Sequence, residues 1–226
     1  MAQTVKICGL STPSTLEAAL RAGADMVGFV FFPKSPRHVD FETAKELAKR
    51  ARLRAEIVAL SVDAGDDLLE HIVKATEPDF LQLHGSESPE RVDEIQRKFG
   101  VSAIKAIGVA KREDLAQADA YRGRSDALLI DAKPPRGATL PGGNGVSFDW
   151  RIAADFQPRK PWMLSGGLDP ANVAEAIALS GARGIDVSSG VESAPGVKDP
   201  DKIKAFIDSA LAAFERQDQE FSGSTT

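Results

Sequence analysis

Val5-Lys6-Ile7-Cys8-Gly9-Leu10-Ser11-Thr12-Pro13 holds the unit from which the rest of the chain is built. A β-branched apolar run stops at a glycine. A capping residue and a proline then open a segment in which Leu16, Ala19, Leu20 and Gly23 keep helical spacing. Proline suits the first helical position because the N–H it lacks has no partner there. The same pairing recurs at Ser88-Pro89, Asp169-Pro170 and Asp199-Pro200, each predicting a helix start, and Ile203, Phe206, Ile207, Ala210 and Leu211 carry the helical period after the last. Apolar runs of strand length occur at residues 5–8, 26–32, 57–62, 80–84, 103–109, 127–131, 162–165 and 184–187. Strands alternating with helices form parallel βαβ units. Eight such units predict a closed (β/α)8 barrel of the TIM type, eight parallel strands with outer helices, over the competing open, doubly wound sheet.

The 226 residues suffice for one such domain, expected to span residues 1–215. Residues 133–147 are rich in Pro and Gly and too long for an ordinary turn, so they read as a functional loop. Residues 216–226 lose the apolar period and end Ser-Gly-Ser-Thr-Thr, which predicts a disordered tail. Hydrophobic residues at 42% and charged ones at 27% match soluble globular proteins. No apolar run reaches the roughly 18 residues of a spanning helix, and the N-terminus carries neither a basic nor a long apolar leader region. A cytoplasmic location is the expectation. The lone cysteine agrees with a reducing compartment. A net charge of −5 without a basic stripe argues against a nucleic-acid partner. No helix shows a surplus apolar face, so a monomer is expected, with a homodimer as the alternative.

In a barrel, catalytic groups come from the carboxyl ends of the strands and the loops that follow. The polar exceptions to the apolar runs fall there. Period-2 alternation puts Lys6 and Cys8 on one face of the first strand, where an ammonium would lower the thiol's pKa; the plainer reading is a buried apolar cysteine. Asp131 ends the sixth run and Asp186 interrupts the eighth. A carboxylate there needs partners or a task, capping backbone N–H groups being the plain alternative. His84 closes Leu81-Gln82-Leu83-His84-Gly85 and is of second rank, since a lone histidine is more often a structural hydrogen-bonder. Ser165-Gly166-Gly167-Leu168 and Ser188-Ser189-Gly190-Val191, after strands seven and eight, together read as a phosphate cradle. Arg37, in Phe32-Pro33-Lys34-Ser35-Pro36-Arg37, offers a guanidinium fork for a carboxylate, unless the segment is merely a solvated loop. Donors for phosphate on one side and an arginine on the other suit a small substrate with two anionic ends.

These residues, with Phe29-Val30-Phe31-Phe32, Leu129-Ile130-Asp131, Gly142-Gly143-Asn144-Gly145, Phe148-Asp149-Trp150 and Glu192, resemble the phosphoribosylanthranilate isomerase family of tryptophan biosynthesis in unbroken order from Lys6 to Phe214. One departure is Asn144, where that family more often has threonine. The resemblance implies a cofactor-free, metal-free Amadori rearrangement of N-(5-phosphoribosyl)anthranilate to the carboxyphenylamino-deoxyribulose phosphate. By that likeness Cys8 is the general base at ribose C2 and Asp131 the general acid at the ring oxygen. Arg37 would hold the anthranilate carboxylate, Gly167, Ser188, Ser189 and Gly190 the phosphate, and Asp186 would lie near the reacting sugar. His84 is implied as a substrate-binding residue. The thiol must then be anionic while the carboxyl is protonated, the reverse of their order in water. Lys6 is expected to lower the one pKa, and desolvation with Asp186 or the substrate to raise the other. Two rivals stand beside this reading. The histidine-pathway isomerase uses an aspartate where this chain has Cys8 and needs a second phosphate site; a silent barrel would bind a sugar phosphate without turning it over.

Overall fold

The computed structural model describes residues 3–134, 137, 138, 140–143 and 145–223. Asn144 and residues 224–226 lie outside them. Eight strands, β1 (Thr4–Cys8), β2 (Met26–Phe31), β3 (Glu56–Ser61), β4 (Phe80–Leu83), β5 (Ser102–Val109), β6 (Ala127–Ala132), β7 (Trp162–Leu164) and β8 (Gly184–Val187), close into a barrel in sequence order. β1 closes it by pairing in parallel with both β2 and β8. The open-sheet alternative is thereby excluded.

Alternation along each strand sorts the side chains into two cores. Val5, Ile7, Val27, Phe29, Ile57 and Ala59 face outward into the layer shared with the helices. Met26, Val58, Ile104, Leu129 and Met163 fill the barrel's interior. Above them, toward the carboxyl ends, the interior turns polar. Lys6 and Gln82 are fully buried, Asp186 nearly so, and Cys8 follows with Val30 and Leu60. At the opposite rim, aspartates preceding even-numbered strands clamp their odd-numbered neighbours: the carboxylates of Asp25, Asp79 and Asp126 accept from the N–H groups of Val5, Ile57 and Ala103 at 2.7, 2.7 and 2.8 Å.

The outer layer holds α1 (Pro13–Ala22), α2 (Phe41–Ala51), α3 (Asp66–Thr76), α4 (Pro89–Phe99), α5 (Val173–Ser180) and α6 (Pro200–Gly223). Thr12 and Ser88 cap α1 and α4 through their side-chain oxygens, with proline first in each helix. Asp199 caps α6 in the same way, accepting from Asp201 N–H at 2.9 Å. Asp169-Pro170 behaves differently. The Asp169 carboxylate accepts from Ala171 and Asn172 N–H, Asn172 reaches back to Asp169 N–H and Gly167 C=O, and the helix starts only at Val173. After β5 and β6 the covering elements are 3₁₀ helices, Arg112–Tyr121 and Trp150–Ala153. Leu115, Ala118 and Tyr121 recur every third residue, the spacing that faces one way on a three-residue turn.

The stretch from Arg216, expected to be disordered, instead continues α6 to Gly223. Asp218 holds it down by accepting from Arg183 at 2.6 Å and from Gln3 at 2.9 Å, a tertiary tie that apolar periodicity does not register. Among the described residues no helix is long and apolar enough to cross a membrane.

Candidate active site

A cavity opens at the carboxyl ends of the strands. Cys8, Arg37, His84, Asp131, Gly167, Asp186, Ser188 and Ser189 all line it; Gly190 does not. The Gly190 backbone instead packs on the neighbouring loop, where an added Cβ would come within 1.8 Å of the Leu168 carbonyl oxygen. The turns after β7 and β8 thus touch main chain to main chain, which glycine alone allows. Ser188 ties the cradle to β1 by donating to Cys8 C=O at 3.1 Å, and Gly167 adopts a positive φ of 66°.

Cys8 sits on β1 and Asp131 on β6, on different sides of the barrel, and both enter this cavity. Room for the thiol comes from Gly28 on β2: a Cβ there would lie 2.9 Å from Cys8 Sγ. Apolar walls of Val30, Leu60, Phe32 and Val62 surround the sulfur. The Lys6 ammonium donates to Asp186 at 2.7 Å, with both groups buried. Burial pushes the Cys8 thiol up, and although Lys6 pulls it down, the thiol stays above its ordinary value. The expectation that Lys6 would leave a thiol below that value is therefore corrected. Its charge is largely shared with Asp186, and desolvation of the anion is the larger effect. Lys6 itself, opposed by burial but held by Asp186 and Cys8, is raised.

Asp131 is held from both sides. Ala132 N–H donates to its Oδ1 at 2.9 Å, and His84 Nε2 lies 3.2 Å from its Oδ2. Gln82 Nε2 approaches His84 Nδ1 at 3.0 Å. The turn carrying His84 is fixed by Lys105, which donates to Leu83 C=O, Gly85 C=O and the Glu87 carboxylate at 3.1, 2.7 and 2.7 Å.

Arg37 does not hang free over the cavity. Its Nε and Nη2 donate bidentately to Glu192 at 2.7 and 2.9 Å, so the fork assigned to a ligand is engaged within the protein. Among the described residues Nη1 makes no hydrogen bond, and it faces Gly143. Glu192 also accepts from Lys198 at 2.6 Å, and Lys198 donates to Ser188 C=O at 3.0 Å. Burial raises the Glu192 carboxyl, but the Arg37 hydrogen bond and the Lys198 charge outweigh it and leave the group below its usual value. Burial pushes the Lys198 ammonium down. Glu192 and Lys198 lie on a small antiparallel ribbon, β9 (Glu192–Ala194) and β10 (Val197–Lys198). Sequence reasoning missed their link to Arg37; Pro195-Gly196, a turn signal between them, is what marks the ribbon. It also missed Gly28, whose signal is a glycine inside a strand. Among the described residues no group of three His, Cys, Asp or Glu side chains is arranged to hold a metal ion.

The comparisons with known proteins agree with one another. Residues 5–209 match the family described as N-(5'-phosphoribosyl)anthranilate (PRA) isomerase. An N-(5'-phosphoribosyl)anthranilate isomerase of Rhodopseudomonas palustris strain BisB5 is 56% identical over 95% of this chain and 99% of its own length. The phosphoribosyl anthranilate isomerase of Thermotoga maritima superposes with a TM-score of 0.81 at 35% identity, covering 94% of this chain and all (100%) of that one. A further isomerase structure, in complex with reduced 1-(o-carboxyphenylamino)-1-deoxyribulose 5-phosphate, gives 0.80 at 33% identity over 94% and 100% of the two chains. The chain belongs to the N-(5'-phosphoribosyl)anthranilate isomerase family.

Proposed function

We propose that Cys8 and Asp131 divide the proton transfers of the rearrangement between them, as base and acid, using no cofactor. The enzyme converts N-(5-phosphoribosyl)anthranilate into 1-(2-carboxyphenylamino)-1-deoxyribulose 5-phosphate in tryptophan biosynthesis. Asp131 gives its proton to the furanose ring oxygen, the C1–O bond breaks, and the anilino nitrogen's electron pair forms the C1=N bond. Cys8, as thiolate, takes the proton from C2. The electrons move to give the enol, which tautomerises to the ketose.

The single observation that carries this reading is that a thiol on β1 and a carboxyl on β6 face one cavity, with Ala132 N–H and His84 already disposed around the carboxyl. Asp186, paired with Lys6 deeper in the barrel, faces the sugar. The phosphate lies between the turns at 165–168 and 188–191, with the buried Lys198 ammonium behind them. Arg37 presents Nη1 to the anthranilate carboxylate while Glu192 holds the rest of its guanidinium. The relative in complex with the reduced product analogue supports a phosphosugar of this kind as the ligand of the cavity.

The raised thiol has a kinetic consequence. Each pH unit by which the thiol pKa exceeds the working pH adds about 1.4 kcal/mol to the barrier. Turnover is expected to rise with pH on the alkaline side. Positioned acid–base groups contribute about 10²- to 10⁴-fold. Cys8→Ser and Asp131→Asn are each expected to lower kcat by that order while KM moves little, read from the fluorescence change as substrate is consumed. Near-normal turnover in either variant refutes the assignment. The same reading has the enzyme act as a monomer in the cytoplasm, which gel filtration and cell fractionation test.

A further inference from the structure

Gln82 is fully buried, and its side chain points from β4 into the polar layer beneath the cavity. An amide in that place is costly. Among the described residues its Oε1 has no hydrogen-bond partner, and a buried unpaired acceptor destabilises the fold where a leucine of similar volume would not. What the amide does contact is His84 Nδ1, at 3.0 Å through its nitrogen.

With the amide turned so that its nitrogen faces the ring, it can only donate, and Nδ1 is then the accepting nitrogen. A neutral imidazole then carries its proton on Nε2, which faces Asp131 Oδ2 at 3.2 Å. We propose that Gln82 is a positioning residue that fixes His84 in the Nε2–H tautomer, so that the ring offers a hydrogen bond to the Asp131 carboxylate as it forms. The proposal rests on Asp131 being the acid. As the proton passes from the carboxyl to the ring oxygen, negative charge grows on Asp131, and donors to it strengthen because charge-assisted hydrogen bonds are about twice as strong as neutral ones. Ala132 N–H supplies one oxygen and His84 the other. In the opposite tautomer the Nε2 lone pair would meet the nascent carboxylate and oppose release of the proton. Gly142 closes over the pair: a Cβ there would come within 2.5 Å of His84 Nε2 and 2.7 Å of Asp131 Oδ2.

Nitrogen-15 NMR of histidine-labelled protein reads the tautomer directly. The chain has three histidines, His38, His71 and His84, and a His84→Asn variant assigns the signals. The wild-type spectrum is expected to show His84 with its proton on Nε2. Gln82→Leu is expected to lose that preference and to lower kcat by about 10- to 100-fold with KM within about two-fold, the range expected for one hydrogen bond to a charged group. Gln82→Glu, which accepts from Nδ1–H, is expected to reverse the tautomer or to charge the ring. A wild-type ring protonated on Nδ1 overturns the proposal even if no variant folds, as does Gln82→Leu with wild-type tautomer and turnover. Full activity of Asp131→Asn would instead remove the acid assignment and leave the tautomer result standing, so the two failures are separable.

Discussion

Lys6→Met tests how the interior of the barrel is held together. Lys6 and Asp186 are register partners on β1 and β8, their charged atoms are 2.7 Å apart, and their side chains are 0% and 5% exposed. Methionine fills nearly the same volume, so the loss is that of the charge and not of packing. It leaves the Asp186 carboxylate buried without its ammonium. Breaking a buried pair from one side costs about 3–5 kcal/mol. Against the roughly 5–15 kcal/mol that holds a domain folded, and at about 2–4 °C per kcal/mol for a chain of this size, the melting temperature should fall by about 6–20 °C. The double variant Lys6→Met/Asp186→Leu should recover most of the loss. The sign with pH is fixed: the Lys6 pKa is raised above 10.5 on folding, so its contribution is complete below pH 10.5 and fades only above it. A second readout is catalytic. The Lys6 charge pulls the Cys8 thiol down, so its removal should push the alkaline limb of the rate profile to higher pH. A stability loss under about 1 kcal/mol, or a double variant no more stable than the single one, would refute the argument that the two charges depend on each other.

Gly28→Ala puts a methyl group 2.9 Å from Cys8 Sγ and 3.1 Å from its Cα, so it should cost about 1–3 kcal/mol in urea unfolding and, on the proposed role of Cys8, lower kcat by displacing the thiol. Gly190→Ala forces the two cradle turns apart at the Leu168 carbonyl and should raise KM for the phosphorylated substrate; an unchanged KM would show that the turns move without consequence. Glu192→Gln leaves Arg37 and Lys198 without their shared carboxylate and should destabilise by about 3 kcal/mol at pH 7. The Glu192 pKa is lowered from 4.5, so the native carboxylate's contribution is present above pH 4.5 and is lost as pH falls below it. The gap between wild type and variant in thermal melts should therefore narrow in acid, and a constant gap would sink the assignment.

The barrel was legible from the chain because strand and helix leave periodic marks: Val5 and Ile7 alternate with Lys6 and Cys8, and Leu16, Ala19, Leu20 and Gly23 recur at helical spacing. The marks failed where a local signal was outweighed by distant partners. Asp169-Pro170 makes a capped turn because Asn172 bonds back to it, and the last helix passes Arg216 because Asp218 reaches Arg183 and Gln3. Period and capping are properties of neighbours in sequence, so they determine which elements form and roughly where. The polar residues at the strand ends could likewise be listed from the sequence as Cys8, His84, Asp131 and Asp186. Only barrel closure decided what each faces. It paired Lys6 with Asp186 across 180 residues, spent the Arg37 fork on Glu192, and set His84 against Asp131. The direction of the Cys8 shift was settled the same way, since desolvation depends on how completely the surrounding strands exclude water, and no spacing along the chain encodes that.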